Sequence, residues 1–342
     1  MAFVVPAEIG HATYAAPLIV YLLSHFADVR LLAVRDKIFP ELSEDVWVLY
    51  AGGYGDRCDH LLLATAERFE FAESAPTSGL HISANALQQW NYRLRPHLIP
   101  RTTLALYAQL QRQTTTVQLG RLARVGIGYV SGANDFFHLR PSTARDLGIP
   151  KRLLRVSVRN GRALQSGAID EGMVTEWIAQ DEACLLLYLP RELKLPDQVR
   201  RYLDSRQGQE ARGAYKCRMR EPWYSVPDVT VPQAFLSYMS GRSPTLTANL
   251  AGCVGTNSVH TVHLSSSIEL AKMQRAWKKP LTTLSCELEG HPLGGGMLKI
   301  EPREAQRVAL SFASKDDPDI DVSLMLGVRT LRAWRHCSAG TQ

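Results

Sequence analysis

The first 54 residues constrain the fold most. Met1–Pro6 (Ala-Phe-Val-Val closing on proline) is an apolar strand, and Tyr14–Phe26 carries a helical pattern. Val29–Val34 and Val46–Ala51 are further apolar strands, and Gly52-Gly53-Tyr54-Gly55 supplies a turn. Strand–helix–strand order with continuous apolar strands predicts an α/β sheet buried on both faces. The stretch is too short for a complete doubly wound domain, so it reads as the last elements of a sheet whose beginning is missing.

The character then changes. Residues 73–117, with Pro76, Pro96 and Pro100 and a helical stretch around Tyr107–Gln113, read as a connector. From Gln118 the pattern is mixed α+β. Strands are expected near Arg124–Val130, Leu153–Val158, Ala183–Leu189, Lys216–Tyr224 and Ser258–Leu264. Helices are expected at Ser142–Leu147, Asp197–Gln209, Gln233–Met239, Ser267–Trp277, Leu281–Glu289 and Arg303–Val308, with Pro280 and Gly290 bracketing one of them. The division is 1–72, 73–117, 118–312, and a tail at 313–342.

Charge follows the same division. Residues 1–117 hold 9 Lys/Arg against 11 Asp/Glu, and residues 118–342 hold 30 against 22. A net −2 followed by a net +8 fits a polyanionic partner for the second part. The six cysteines form no Cys-x-x-Cys pair, which argues against a zinc ribbon and for reduced thiols in the cytoplasm. The apolar run Ala15–Leu23 is too short to span a bilayer and lacks signal-peptide features, so no membrane role is expected.

Within the basic part, Lys216, Arg218 and Arg220 fall at every second residue and lead into Trp223 and Tyr224. In an extended segment these cations share one face. A basic stripe beside aromatics suits phosphates and bases, or it protects an edge strand. Ser131-Gly132-Ala-Asn134-Asp-Phe-Phe is a polar loop closing an apolar strand. Asn134 either reads an adenine edge or forms an Asn/Asp turn. Thr256-Asn257-Ser258 repeats the theme, whereas Arg159-Asn160-Gly161 reads as a hairpin turn. Val125-Gly-Ile-Gly128 lacks the context of a cofactor loop and reads as a turn, as do Gly52-Gly53 and the corner Gly294-Gly-Gly296. His260 and His263 would face opposite sides of a strand, which makes them poor metal partners; no metal site is expected.

These segments, in order, resemble the C-terminal part of the TaqI-like adenine-specific DNA methyltransferases of restriction–modification systems. The matching runs are Ala2–Pro6, Lys37-Ile-Phe39-Pro40 with Val46–Tyr50, Gly128–Phe137, Arg220–Pro227, Pro244–His260, and Cys286–Gly290 through Gly294–Pro302. The fold so implied is the edge of a Rossmann-like methyltransferase sheet followed by a mixed α+β target-recognition domain. The resemblance implies that Phe39 packs against a flipped adenine and that Pro40 shapes its loop. It implies double-stranded DNA as partner, with Ser131, Gly132, Asn134, Lys216, Arg218, Arg220, Trp223, Tyr224, Thr256, Asn257 and Lys299 as the candidate DNA-binding set. Trp223–Tyr224 is equally an ordinary core pair.

The family also carries Asn-Pro-Pro-Tyr and a glycine-bearing turn for S-adenosylmethionine. This sequence contains no Asn-Pro-Pro. Methyl transfer needs donor and amine held together, so the expectation is a truncated or split form that neither binds S-adenosylmethionine nor catalyses alone. Catalysis would then need a separate N-terminal methyltransferase polypeptide. The alternative is a non-enzymatic specificity subunit docking on a methyltransferase or nuclease. A third possibility is a soluble α/β protein with no DNA role.

Overall fold

The computed structural model describes residues 1–12, 14–42, 44–71, 74–266, 268–314 and 317–337. Ser267, the expected start of one helix, lies outside the described residues, as do the 72/73 boundary and residues 315–316 and 338–342 of the tail.

The amino-terminal pattern forms a five-stranded sheet. Its strands are β1 (Ala2–Pro6), β2 (Phe26–Val34), β3 (Val46–Tyr54), β4 (His60–Ala66) and β5 (Leu80–Ser83), in the order β1-β3-β2-β4-β5. Only β2 and β4 run parallel; the register sets Leu31 opposite both Leu49 of β3 and Leu63 of β4. Helix α1 (Ala15–His25) packs Ile19, Leu22 and Leu23 on a core of Val29, Leu31, Trp47, Leu49, Leu61 and Leu63. Burial on both faces is met in β4, where Leu61–Ala64 are all buried. It is not met in β1. That strand is at the sheet's edge, and Phe3 and Val4 are more than half exposed.

The following segment contains the helices Ala84–Gln89 and Arg101–Gln111. Arg101–Gln111 packs with two helices from the far end of the chain, Pro280–Glu289 and Pro318–Trp334. Tyr107, fully buried among them, donates to Ser285 Oγ at 2.9 Å. The last 17-residue helix, within the stretch read as a tail, buries Leu324, Val328 and Leu331.

The remainder is mixed α/β with several small sheets. The largest has five strands, ordered Ala168–Ile169, Leu246–Asn249, Ala234–Ser237, Val259–Leu264 and Ala123–Ile127. The helix expected at Gln233–Met239 is this sheet's central strand. Ala234–Ser237 are buried on both sides, and a short continuous apolar run carries no period to separate strand from helix. A four-stranded sheet joins Val254–Gly255, Leu154–Val158, Leu185–Leu187 and His138–Leu139. The helix expected over Asp197–Gln209 is two, Asp197–Leu203 and Arg206–Gly213. The break falls where Ser205 caps the second by accepting from Gly208 N at 3.2 Å. No helix is long and apolar enough to cross a membrane among the described residues.

Buried ion pairs tie the ends together. Glu287 accepts from Arg95 (3.3 Å), Arg332 (3.0 Å) and Arg335 (2.8 and 3.0 Å), and Glu289 from Arg93 (3.0 and 3.2 Å) and Arg307 (2.7 Å). Arg335 is fully buried and also donates to the carbonyls of Gly241, Arg242 and Gly296.

Candidate nucleic-acid interface

Lys216–Tyr224 is not a strand. Tyr215–Arg218 is one helical turn, followed by a loop with a cis Glu221–Pro222 bond. The expected single basic face therefore does not form: successive helix residues turn by roughly 100°, so Lys216 and Arg218 point to different sides. Ser205 and Ala214 start successive helical turns here, and Cys217 is buried beneath the last, which anchors it to the core. Local packing overrides the alternating charge pattern.

The structure nevertheless brings this segment against the Ser131 loop. Arg220 donates through Nη1 to Ser131 O at 2.7 Å and through Nη2 to Val130 O at 2.6 Å. Cys217 Sγ lies 3.8 Å from the same Ser131 carbonyl. Gly132 has φ +86°, and a Cβ there would sit 2.9 Å from Lys216 Cβ. Glycine is needed at that position for both conformation and room. Arg220 thus acts inward as a loop fastener, while Lys216 and Arg218 are exposed beside it.

A buried polar chain holds the loop from below. Ser157 Oγ and Tyr129 Oη are 2.5 Å apart, and Tyr129 Oη is 2.8 Å from His138 Nε2. His138 Nδ1 is 2.9 Å from Asn134 O, which can only accept. The network therefore assigns the proton to Nδ1, leaving Nε2 to accept from tyrosine. Burial lowers the His138 pKa from 6.5 to about 4, so the ring is neutral, as this arrangement requires. Burial likewise raises the Tyr129 and Cys217 pKa values.

Asn134 opens the short helix Asn134–Phe137, and its exposed side chain accepts at Oδ1 from Ser131 Oγ at 2.5 Å. That leaves Oδ1 a second lone pair and the amide NH₂ available on an exposed side chain. Ser131 itself is buried. The two phenylalanines that follow point inward. Phe136 stacks on Tyr202 at 4.6 Å and lies 5.7 Å from Trp223. Trp223 and Tyr224 pack on this same core cluster, so the core-pair alternative describes them.

Thr256 and Asn257 reach the same loop from the other side. Asn257 N donates to Tyr129 O at 3.0 Å, and Thr256 bridges Tyr129. Thr256 is buried and donates its hydroxyl to Arg159 O at 3.2 Å, whereas Asn257 is exposed. Gly128 permits the crossing: a Cβ there would meet Thr256 O at 2.2 Å and Gly255 O at 2.3 Å. The glycine pair expected to form a turn is thus one strand residue, Gly126, and one close crossing, Gly128. Arg159-Asn160-Gly161 is no hairpin either; Asn160 Oδ1 accepts from Arg162 N at 3.0 Å and caps a short 3₁₀ turn.

Lys299, Phe39 and Pro40 lie elsewhere. Lys299 ends the strand Met297–Lys299 of a three-stranded sheet with Met239–Ser240 and His291–Leu293, pairs with Glu301 at 2.6 Å and lies over the Tyr238 ring. The Glu301 bond raises its pKa. Its charge is already answered locally. Phe39 and Pro40 are exposed in the connection between β2 and β3, and Phe39 O accepts from Leu42 N at 3.1 Å. His260 and His263 do face opposite ways: His260 is buried against Ile300 O at 2.7 Å, and His263 meets Thr230 Oγ1 at 3.2 Å.

The frame residues Tyr129, Ser157 and His138 escaped the sequence reading. The one local signal was the four-residue spacing of Asn134 and His138.

Residues 92–330 match the family described as type II methyltransferase M.Eco57I, C-terminal domain. The chain belongs to this family. The match takes in most of the stretch read as a connector and all but the last turn of the closing helix, as well as the whole Ser131 region. Two solved restriction enzymes are similar over nearly all of this chain. The type IIG restriction endonuclease BpuSI matches at 12% identity and a TM-score of 0.44, covering 96% of this chain and 42% of its own. The type IIL restriction–modification enzyme MmeI, solved in complex with DNA, matches at 11% identity and a TM-score of 0.48, covering 98% of this chain and 46% of its own. This chain spans less than half the length of either.

Proposed function

We propose that this C-terminal methyltransferase domain binds duplex DNA and reads its target sequence for a restriction–modification methyltransferase. The observation that carries the reading is the convergence of the Ser131 loop with two sequence-distant segments, Lys216–Arg220 and Thr256–Asn257. They present Asn134, Asn257, Lys216 and Arg218 outward from a rigid, buried frame. Amides in such positions can read base edges, and the cations can neutralise phosphates. The net +8 over residues 118–342 supports the same partner.

Under this reading the modified base is adenine. Phe39, exposed on the β2–β3 connection, lies against that base when it is flipped, and Pro40 shapes the loop. S-adenosylmethionine and the catalytic loop are then supplied by a methyltransferase half outside these 342 residues. The five-stranded sheet is then the edge of that catalytic sheet. The exposed edge strand β1, with Phe3 and Val4 each more than half exposed, supports its docking there. The same edge also suits a specificity subunit that docks on a separate methyltransferase or nuclease. Reconstitution separates the two: methyl transfer restored by a covalently linked half alone favours the first, and by a free partner the second.

The test is fluorescence anisotropy of a labelled duplex titrated with this chain at several salt concentrations. Binding that weakens linearly in log–log form with salt is expected. Absence of binding at low salt would sink the reading.

A further inference from the structure

A second cluster lies far from the Ser131 loop, where the amino-terminal sheet meets the closing elements of the chain. A cavity of about 250 Å³ is lined there by Glu8, His11, Asp45, Trp47, His291 and Trp334, among others. Ala7–Gly10 is a 3₁₀ turn. His11 closes the turn, its N donating to Glu8 O at 3.0 Å, which brings the two residues together. Gly10 lets the turn lie on Trp47, since a Cβ there would meet the indole at 2.5 Å. His291 enters from the strand His291–Leu293, 280 residues later.

We propose that Glu8, His11 and His291 bind one divalent first-row transition ion, with Zn²⁺ the best fit, clamping the amino-terminal sheet onto the recognition part of the chain. The ligand atoms of all three residues lie within 4.8 Å of one another. His291 is already arranged as a ligand. Its Nε2 meets Glu304 Oε1 at 2.6 Å, while its buried Nδ1 has no hydrogen-bond partner. A carboxylate holding one imidazole nitrogen and a free lone pair on the other is how proteins orient metal-binding histidines. His11 is buried, and its ring meets that of His291 edge-on with centroids 4.9 Å apart. The nearby Arg93 and Arg95 are answered by Glu289 and Glu287, which limits their repulsion of a cation. Two nitrogens and one carboxylate oxygen suit Zn²⁺ rather than the all-oxygen sets of Ca²⁺ or Mg²⁺. The cavity leaves a fourth position for water. Tetrahedral ligation at about 2.1 Å needs donors about 3.4 Å apart, and the exposed Glu8 has room to close that gap.

The test is Zn²⁺ titration of the metal-stripped whole chain by calorimetry, with Co²⁺ as spectroscopic probe. One equivalent of Zn²⁺ should bind, raise the melting temperature, and yield to Co²⁺ with visible absorption of a four-coordinate site. The double variant His11→Asn/His291→Asn should lose at least 100-fold in affinity. Glu304→Gln, which keeps a hydrogen bond but not the charge, should lose roughly 10-fold. The control His60→Asn/His81→Asn removes an exposed histidine pair (ring centroids 4.9 Å apart) and should bind as the parent chain does. No stoichiometric binding, unchanged affinity in His11→Asn/His291→Asn, or loss only in His60→Asn/His81→Asn would each overturn the proposal.

Discussion

The interface around Ser131 and the carboxylate cluster around Glu287 are both built on arginine, and they use it in opposite directions. Around Glu287 the guanidinium groups of Arg95, Arg332 and Arg335 are withdrawn from solvent and converge on one buried carboxylate. Around Ser131 only Arg220 turns inward, onto two carbonyls, while Lys216 and Arg218 stay exposed. A positive charge in the sequence therefore says little about its role until its counter-group is known. The first region locks distant chain segments; the second fixes a loop and leaves charge free for a partner.

The comparison breaks most readily at Glu287. Glu287→Gln leaves three arginines facing a neutral amide in a buried site. Removing one partner of a buried ion pair costs about 3–5 kcal/mol, so the urea midpoint should fall steeply or the chain should fail to fold. A variant as stable as the parent would show that the cluster contributes little to holding the closing helix.

Arg220→Ala is expected to come next. It removes two hydrogen bonds from a half-exposed guanidinium to carbonyls, each worth on the order of 1 kcal/mol where solvent competes, and frees the loop Val130–Asn134. Stability should fall moderately, proteolysis near that loop should rise, and DNA binding should weaken through lost order. Lys216→Ala/Arg218→Ala should instead leave the melting temperature unchanged. It should lower DNA affinity and reduce the salt slope by about 2, one unit for each lost phosphate contact. If the two variants behave alike, the division between inward fastener and outward contact is wrong.

Much of the fold was legible in the sequence, because long apolar strands and proline- or glycine-bounded helices carry their own signals. The amino-terminal strands and the helix Pro280–Glu289 are of this kind. Lys216–Arg220 was misread because its period-two charge pattern is also what one buried cysteine on a short helical turn leaves exposed. Ala234–Ser237 was misread because a strand buried on both faces has no period. At the candidate interface the sequence singled out loops that the fold brings together. It could not say that Thr256 and Ser131 turn inward while Asn257 and Asn134 turn outward, since that depends on a crossing at Gly128 between segments far apart in sequence. His291 carried no signal either, because its neighbour His11 lies 280 residues away.

The smallest expected effect concerns the frame beneath the Ser131 loop. His138 is neutral when folded, with its pKa lowered to about 4 by burial, against an ordinary value of 6.5. Between those two values the unfolded chain holds a proton that the folded chain does not. Acid therefore favours unfolding: the His138 contribution is intact above pH 6.5 and is lost progressively as pH falls toward 4, by on the order of 1 kcal/mol per pH unit. Burial lowers the His97 pKa to about 4 as well, so the parent chain's slope sums several groups. His138→Gln isolates one of them, because the amide can still accept from Tyr129 and donate to Asn134 O but does not titrate. Urea midpoints measured at pH 7 and pH 5 should converge less in the parent than in this variant, which should keep more of its stability at pH 5. Equal losses in both would mean that His138 does not stay neutral in the fold, and that the hydrogen-bond chain from Ser157 to Asn134 is not what holds the loop.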